Sequence, residues 1–541
     1  MGMCVVAAPS AIQVTDILAG LGKDGRMTLT RVAIALACLL GAYLRLWPVL
    51  TSAFPLNDGG LFYRMAQELI ASGFSLPDYT SYNRADIPFA YPPLGLYLLA
   101  FTSTLTGLSL LDVQRVLPAI LSIAAIPVFF SFARRLLNSP GLASVATIAF
   151  ALLPRTWLWF IMGGGITRAL GFLFVLLLFD RLLAAYTEHR PRDVVLAAIC
   201  GAGAVSSHLE NAWFGVYSAV LLFLAYGRTR RGIATTLVVG FGAAVLSSPW
   251  WISVLQRHGP APFLHAARSG GQEEFSLDPL RYFTFSAEPF LPILGALGFI
   301  GVFVAAVTGR WFVPLWLIVI FFVNPRNPAT PAAVPLALLV AITLCEVLVP
   351  AVNALVAAHI RPAVLLLAPL LGFVFLSSRS VAGNSTLLEP LSGSDRRAMR
   401  WISSHTPLSA RLLVISGRWF GQDAAAEWLP ALTGRVSAAT VQGTEWLPGR
   451  RFYRGWKETD SLRTCQTARC VRRWINDRHP DVQYLYVRQG WIGGLLPELR
   501  DAADLRLRYA RDSVFIFERR PGHETAAPAA ERTGGRPTLS L

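Results

Sequence analysis

Apolar stretches of roughly 15–20 residues, each long enough for a helix to cross a ~30 Å hydrocarbon core, recur from Leu29 to about Ser377. Lipid offers no partner to an exposed N–H or C=O group, so this region can only be a bundle of helices. The chain of 541 residues is 54% hydrophobic and 15% charged, too apolar for one large soluble globule. The spacing predicts about 11 spans, over 31–49, 116–133, 140–154, 166–186, 193–208, 211–227, 232–250, 290–308, 311–323, 331–350 and 361–377. The stretch 94–109 is short and is expected to lie partly inserted at the surface.

The basic residues orient the bundle. Lys23, Arg26, Arg31, Arg134, Arg135, Arg181, Arg190, Arg192, Arg228, Arg230, Arg231, Arg310 and Arg361 can all share the cytoplasmic side, where Lys and Arg concentrate. This holds if 93–133 makes one net crossing. An odd number of spans then puts the chain after 377 outside, with Asp58, His208, Glu210, Glu273, Glu274, Asp278, Glu288 and Arg326 in outer loops. The net charge of +16 is almost all arginine, since Lys23 and Lys457 are the only lysines. With no basic stripe interleaved with aromatics, nucleic-acid binding is excluded.

The fold class is therefore mainly α: a polytopic transmembrane bundle over 29–377, then a small extracytoplasmic α/β domain over 378–520. Met399–Ser404 reads as helix, and Arg411–Ile415, Val482–Val487 and Ser513–Glu518 as strands. Residues 1–28 and 521–541 are expected to be disordered tails. Cys465 and Cys470 can close a small disulfide on an oxidising side; zinc, with His479 as a further ligand, is the weaker alternative.

Few residues can carry chemistry. Asp58 precedes an amphipathic run through Leu61, Met65 and Leu69, so it reads as a helix N-cap or as a general base for an acceptor hydroxyl. Tyr91-Pro92-Pro93 fixes a helix entry and can hold the outer loop over a cavity. Gly163, Gly164 and Gly165 either open backbone N–H groups to a phosphate or let helices pack closely. Arg168 follows them, and an intramembrane arginine needs an anionic partner. His208 and Glu210, at a tight reversal between spans, are solvated polar groups or orient an acceptor. They are too few for a metal. Arg326, bracketed by prolines, suits a bidentate grip on phosphate or a lipid headgroup. Trp419, Trp428 and Trp446 are candidate sugar-stacking surfaces, or core and interface residues.

Several of these segments together resemble one superfamily. Leu44-Arg45-Leu46-Trp47, Asp58 ahead of Tyr63-Arg64-Met65-Ala66, Tyr91-Pro92-Pro93-Leu94 and Arg115-Val116-Leu117-Pro118 are similar to the GT-C glycosyltransferases that use polyprenyl-phosphate-linked sugars. Met399-Arg400-Trp401-Ile402 with Thr406-Pro407 resembles the start of that superfamily's outer domain. The resemblance, to the protein O-mannosyltransferases and aminoarabinose transferases above all, implies Asp58 as the catalytic acidic residue. Arg64 and Tyr91 lie in the matching segments and are candidate substrate contacts, and the chemistry of the residues adds the glycine triplet, Arg168, His208, Glu210 and Arg326. A polyprenyl-phosphate-linked sugar would be the donor, and a glycan, lipid or protein the acceptor.

Two departures accompany the likeness. Asn57-Asp58 stands where the family often has two adjacent acids. The second outer loop, Trp159–Gly165, holds no acid, which disfavours metal-dependent oligosaccharide transfer to asparagine and implies a metal-independent, cofactor-free reaction. A lipid-glycan transporter is a rival reading, but repeated halves and midplane charges are not evident. A catalytically inactive scaffold of the same fold is the other.

Overall fold

The structure, a computed structural model, describes residues 23–269, 286–324, 327–355, 362–489 and 494–520. Each predicted span falls on a helix. Among the described residues, six helices are long and apolar enough to cross a membrane: Met27–Thr51, Leu110–Leu137, Gly165–Thr187, Leu209–Tyr226, Arg230–His258 and Ala329–Leu355. Leu94–Thr106, Pro140–Leu152, Ile293–Val307 and Phe312–Val323 are shorter apolar helices. The chain is thus a multi-pass membrane protein.

Buried polar side chains fasten the bundle. Arg45, fully buried, donates from Nε to Ser122 Oγ at 2.9 Å and from Nη1 to the carbonyls of Gly41 and Ala151, each at 3.0 Å. It ties three helices together, and these hydrogen bonds meet the requirement of a buried charge. Phe150, Phe172, Phe214 and Trp316 stack in a column through the core with centroids 6.1–6.4 Å apart. On the arginine-rich side, buried Asp180 pairs with Arg135 at 2.9 Å, and Arg181 reaches Asp193 at 3.0 Å.

After the bundle, a mixed five-stranded sheet forms with strand order β4-β3-β5-β7-β6. Its strands are β3 (Arg411–Ile415), β4 (Val436–Ser437), β5 (Tyr484–Arg488), β6 (Leu505–Arg511) and β7 (Val514–Arg519); β1 (Tyr79–Thr80) and β2 (Ile87–Pro88) form a separate hairpin in the first outer loop. Strands β3, β5 and β7 match the predicted ones. Strand β6 does not announce itself, because it is an edge strand of alternating Leu and Arg buried only at Leu505. The helix Gly393–His405 begins with a capping box from Ser392 and Asp395.

Cys465 and Cys470 are disulfide-bonded, with Cα atoms 5.5 Å apart, so both sulfurs are consumed and the zinc alternative falls. Both cysteines are expected to resist alkylation in the native protein until a reductant is added, as read by peptide mass.

Candidate active site

The first outer loop aims Asp58 by backbone conformation. Asn57 (φ 52°) and Gly59 (φ 114°) both lie in the left-handed region, which Asn tolerates better than most residues and Gly adopts freely. Asn57 therefore stands where the backbone needs it. A Cβ at Gly59 would also lie 2.4 Å from Gln114 Nε2 and 2.7 Å from the backbone of Gly163.

Asp58 is not the cap of the helix Gly60–Ala71. The residue at that position is Gly59, with no side-chain cap, and the Asp58 carboxylate turns instead toward the second outer loop. There Oδ1 accepts from Gly164 N at 2.9 Å and Arg168 Nη2 at 3.1 Å, while Oδ2 accepts from Arg168 Nη1 at 2.8 Å. The fork is bidentate, the geometry that favours arginine over lysine. Both side chains are about one-fifth exposed, so the pair is held and still reachable.

Arg168 is itself fixed. Its Nε donates to the Trp159 carbonyl at 3.2 Å, and its guanidinium lies 5.1 Å from the centroid of the Trp159 ring. Asn211 Nδ2 holds the Arg168 carbonyl at 2.8 Å. Of its five N–H donors, one on each Nη remains without an acceptor among the described residues.

The glycine triplet packs rather than offers donors. Gly163 N bonds to Leu56 O, Gly164 N to Asp58 and Gly165 N to Met162 O, so the expected phosphate cradle is already occupied from within. A Cβ at Gly163 would lie 2.0 Å from the Asp58 carbonyl oxygen. Gly163→Ala is expected to cost about 1–3 kcal/mol through forced backbone shifts, read as a lower thermal midpoint of the purified protein together with lost activity.

A second carboxylate arrives from the sheet-bearing region. Glu427, on the helix Ala424–Thr433 and only 7% exposed, accepts through Oε1 from Gly59 N at 2.8 Å and Gly60 N at 2.9 Å. It caps the helix that Asp58 was expected to cap. Its neighbour Trp428 donates Nε1 to Asn57 O at 2.9 Å, and Tyr82 donates its hydroxyl to Glu427 O at 2.6 Å. Burial first, and the charge of Asp58 second, push the Glu427 carboxyl up to about 8. Gln114, fully buried, bonds to Gly59 O at 2.9 Å and Gly163 O at 3.3 Å, bridging the two loops.

Arg168, His208 and Glu210 line one small cleft with Trp159, Asn211 and Asn327. His208 Nδ1 accepts from Asn211 N at 3.3 Å, capping the helix Leu209–Tyr226. Tyr91 contacts Thr167 Oγ1 at 3.3 Å and sits between the rings of Phe62 and Trp446. Arg64 is not brought in: its guanidinium pairs with Glu68 and donates to Ser81 Oγ. Arg326, Glu273, Glu274 and Asp278 lie outside the described residues, and Glu288 caps the helix Ile293–Val307 through Leu294 N and Gly295 N. Trp428 and Trp446 are buried, which removes them as sugar-stacking surfaces, whereas Trp419 is exposed.

Comparisons with protein-family profiles and with curated proteins gave no match. Solved structures do match across the chain. ArnT from Cupriavidus metallidurans bound to undecaprenyl phosphate is 15% identical with a TM-score of 0.54, covering 92% of this chain and 98% of that one. The oligosaccharyltransferase AglB from Archaeoglobus fulgidus, in complex with an inhibitory peptide and a dolichol-phosphate, is 15% identical with a TM-score of 0.53, covering 93% and 75%. This chain has the GT-C fold. The arabinofuranosyltransferase AftD from Mycobacteria is 17% identical with a TM-score of 0.51, and this chain spans 40% of its length. The GT-C fold agrees with the resemblance of the sequence motifs.

Proposed function

We propose that this chain is an integral-membrane glycosyltransferase that moves a sugar from a polyprenyl-phosphate donor to an extracytoplasmic hydroxyl of a glycan, lipid or protein, inverting the anomeric carbon. Residues 29–377 form the catalytic bundle, and 378–520 form an outer domain on the same side as the site. The observation that carries this reading is the Asp58–Arg168 fork, about one-fifth exposed, beside the cleft that Arg168 lines with His208 and Glu210.

Oδ2 of Asp58 accepts one hydrogen bond where Oδ1 accepts two, so Oδ2 is the atom with capacity for the acceptor proton. As the hydroxyl oxygen attacks the anomeric carbon, the bond to phosphate breaks and charge builds on the leaving oxygen. The two uncommitted Arg168 N–H groups are donors already held in place for that charge, the arrangement that favours a transition state over its ground state. Arg168 puts the positive charge beside Asp58, so the reading is metal-independent. Glu427 supplies the second acid that Asn57 does not.

The test is the lipid-linked sugar pool of cells lacking the protein. Accumulated polyprenyl-phosphate sugar with a truncated acceptor, restored by wild type, is the expected result. An unchanged pool and unchanged envelope glycans would refute the proposal. In the purified protein, Arg168→Gln is expected to lower kcat about 10²–10³-fold by removing the leaving-group donors, as measured with a radiolabelled lipid-linked donor.

A further inference from the structure

A second cleft, about 280 Å³ in volume, lies where the first outer loop meets the helix Gly393–His405. It shares no lining residue with the cleft around Arg168. Three arginines line it, Arg115, Arg396 and Arg400, against one acid, Asp112. Arg115 donates to Ser52 O at 2.8 Å and pairs with Asp112 at 3.5 Å. Arg396 donates to Ala53 O at 3.0 Å, and its guanidinium lies 5.2 Å from the centroid of the Phe54 ring. Asp112 is also engaged by Ser109 Oγ at 2.6 Å.

These contacts do not satisfy the arginines. Nε of Arg115 and Nε of Arg396 are both buried without a hydrogen-bond partner, a state that costs free energy unless something fills it. Arg400 has no carboxylate within 4 Å among the described residues. Burial, and then the neighbouring charge of Arg400, lower the pKa of Arg396. Glu389 and Asp395 offset part of that repulsion, and an anion in the cleft would offset more of it. Leu111, Met399 and Leu432 add an apolar part to the lining. Leu105 and Leu108, just before the helix Leu110–Leu137, are exposed as lipid-facing side chains are.

We propose that this cleft binds a phosphate group carried on an apolar or sugar-like body, at a site separate from the reaction centre. Guanidinium groups match the geometry of phosphate oxygens bidentately, and the apolar part of the lining accommodates what the phosphate is attached to. The source is either the headgroup of an anionic phospholipid or a soluble phosphate ester.

The full-length protein in detergent is titrated with phosphatidylglycerol, read by native mass spectrometry, and with inorganic phosphate, read by calorimetry. Arg400 is exposed, so Arg400→Gln is the variant least able to disturb folding, and Arg396→Gln is the second. Binding of either probe to wild type, weakened at least fivefold in either variant, is expected. Phosphatidylglycerol alone would identify a headgroup, and inorganic phosphate alone a soluble ester. If wild type binds neither probe, or both variants bind as wild type does, the proposal is overturned.

Discussion

Asp58→Asn is expected to lower sugar transfer by about 10²–10⁴-fold, the usual contribution of a positioned general base, while the protein still folds. Asn keeps an oxygen for the Gly164 N–H and for one Arg168 nitrogen, while its amide nitrogen cannot accept from Arg168 Nη1, so the bidentate fork becomes a single contact. What it loses is a group able to take the acceptor proton. The Asp58–Arg168 pair is about four-fifths buried, so some loss of stability is expected to accompany the loss of activity. The measurement is paired: transfer from a lipid-linked donor, and the thermal midpoint of the same preparation. Full activity in Asp58→Asn would move Asp58 to a purely structural role and place the base elsewhere, whereas no transfer by wild type would favour the inactive scaffold. Arg168→Ala cannot make this distinction alone, since it removes Asp58's partner together with the proposed leaving-group donors.

Glu427 has the other large effect, and it falls on stability. Glu427→Ala strips the acceptor from the N–H groups of Gly59 and Gly60, both buried. Each buried donor left unsatisfied costs about 1–3 kcal/mol, so the seating of the helix Ala424–Thr433 on the first outer loop is expected to loosen. Activity falls with it, because Asp58 immediately precedes Gly59. The pH dependence has a definite sign. Glu427 is pushed up to about 8 in the folded protein, above the ordinary value near about 4.3. Its contribution is therefore fully present below about pH 4.3 and is lost as pH rises through about 8. In its neutral form Oε1 can accept both N–H groups while Oε2 carries the proton. The thermal midpoint of wild type is expected to fall between about pH 5 and 8 more steeply than that of Glu427→Gln, which mimics the neutral acid. Parallel profiles would show that Glu427 is charged throughout.

Much of the fold was legible because membrane physics leaves few choices. The apolar runs located the helices, since lipid forces backbone hydrogen bonds to close within each segment. Short strands such as β3 were visible as apolar runs of β-branched and aliphatic residues. The edge strand β6 was not, because its Arg-rich pattern serves solvent and not the core. At the site, the sequence marked Asp58, Arg168, His208 and Glu210 as polar groups near span ends. It could not say which of them meet. It offered the cap and the base as alternatives for Asp58, and only the three-dimensional path of Asn57–Gly60 separates them. The left-handed turn at Asn57 and Gly59 aims the carboxylate at Gly164 and Arg168, 106 and 110 residues away.

Glu427 was missed for the same reason. It lies 367 residues from Gly60, inside Ala424-Ala425-Ala426-Glu427-Trp428, and the one signal present was an acid on an otherwise apolar helix. The glycine triplet shows the converse. Its composition permitted both a phosphate cradle and close packing, and the positions of Leu56 and Asp58 chose packing. The sequence by itself determined a membrane-embedded helical chain with its reactive groups in loops, because hydrophobic length is a local property. Tertiary structure alone decided that Arg168 pairs with Asp58 and that Glu427 replaces it as the cap, because hydrogen-bond partners are set by the distance between segments far apart in the chain.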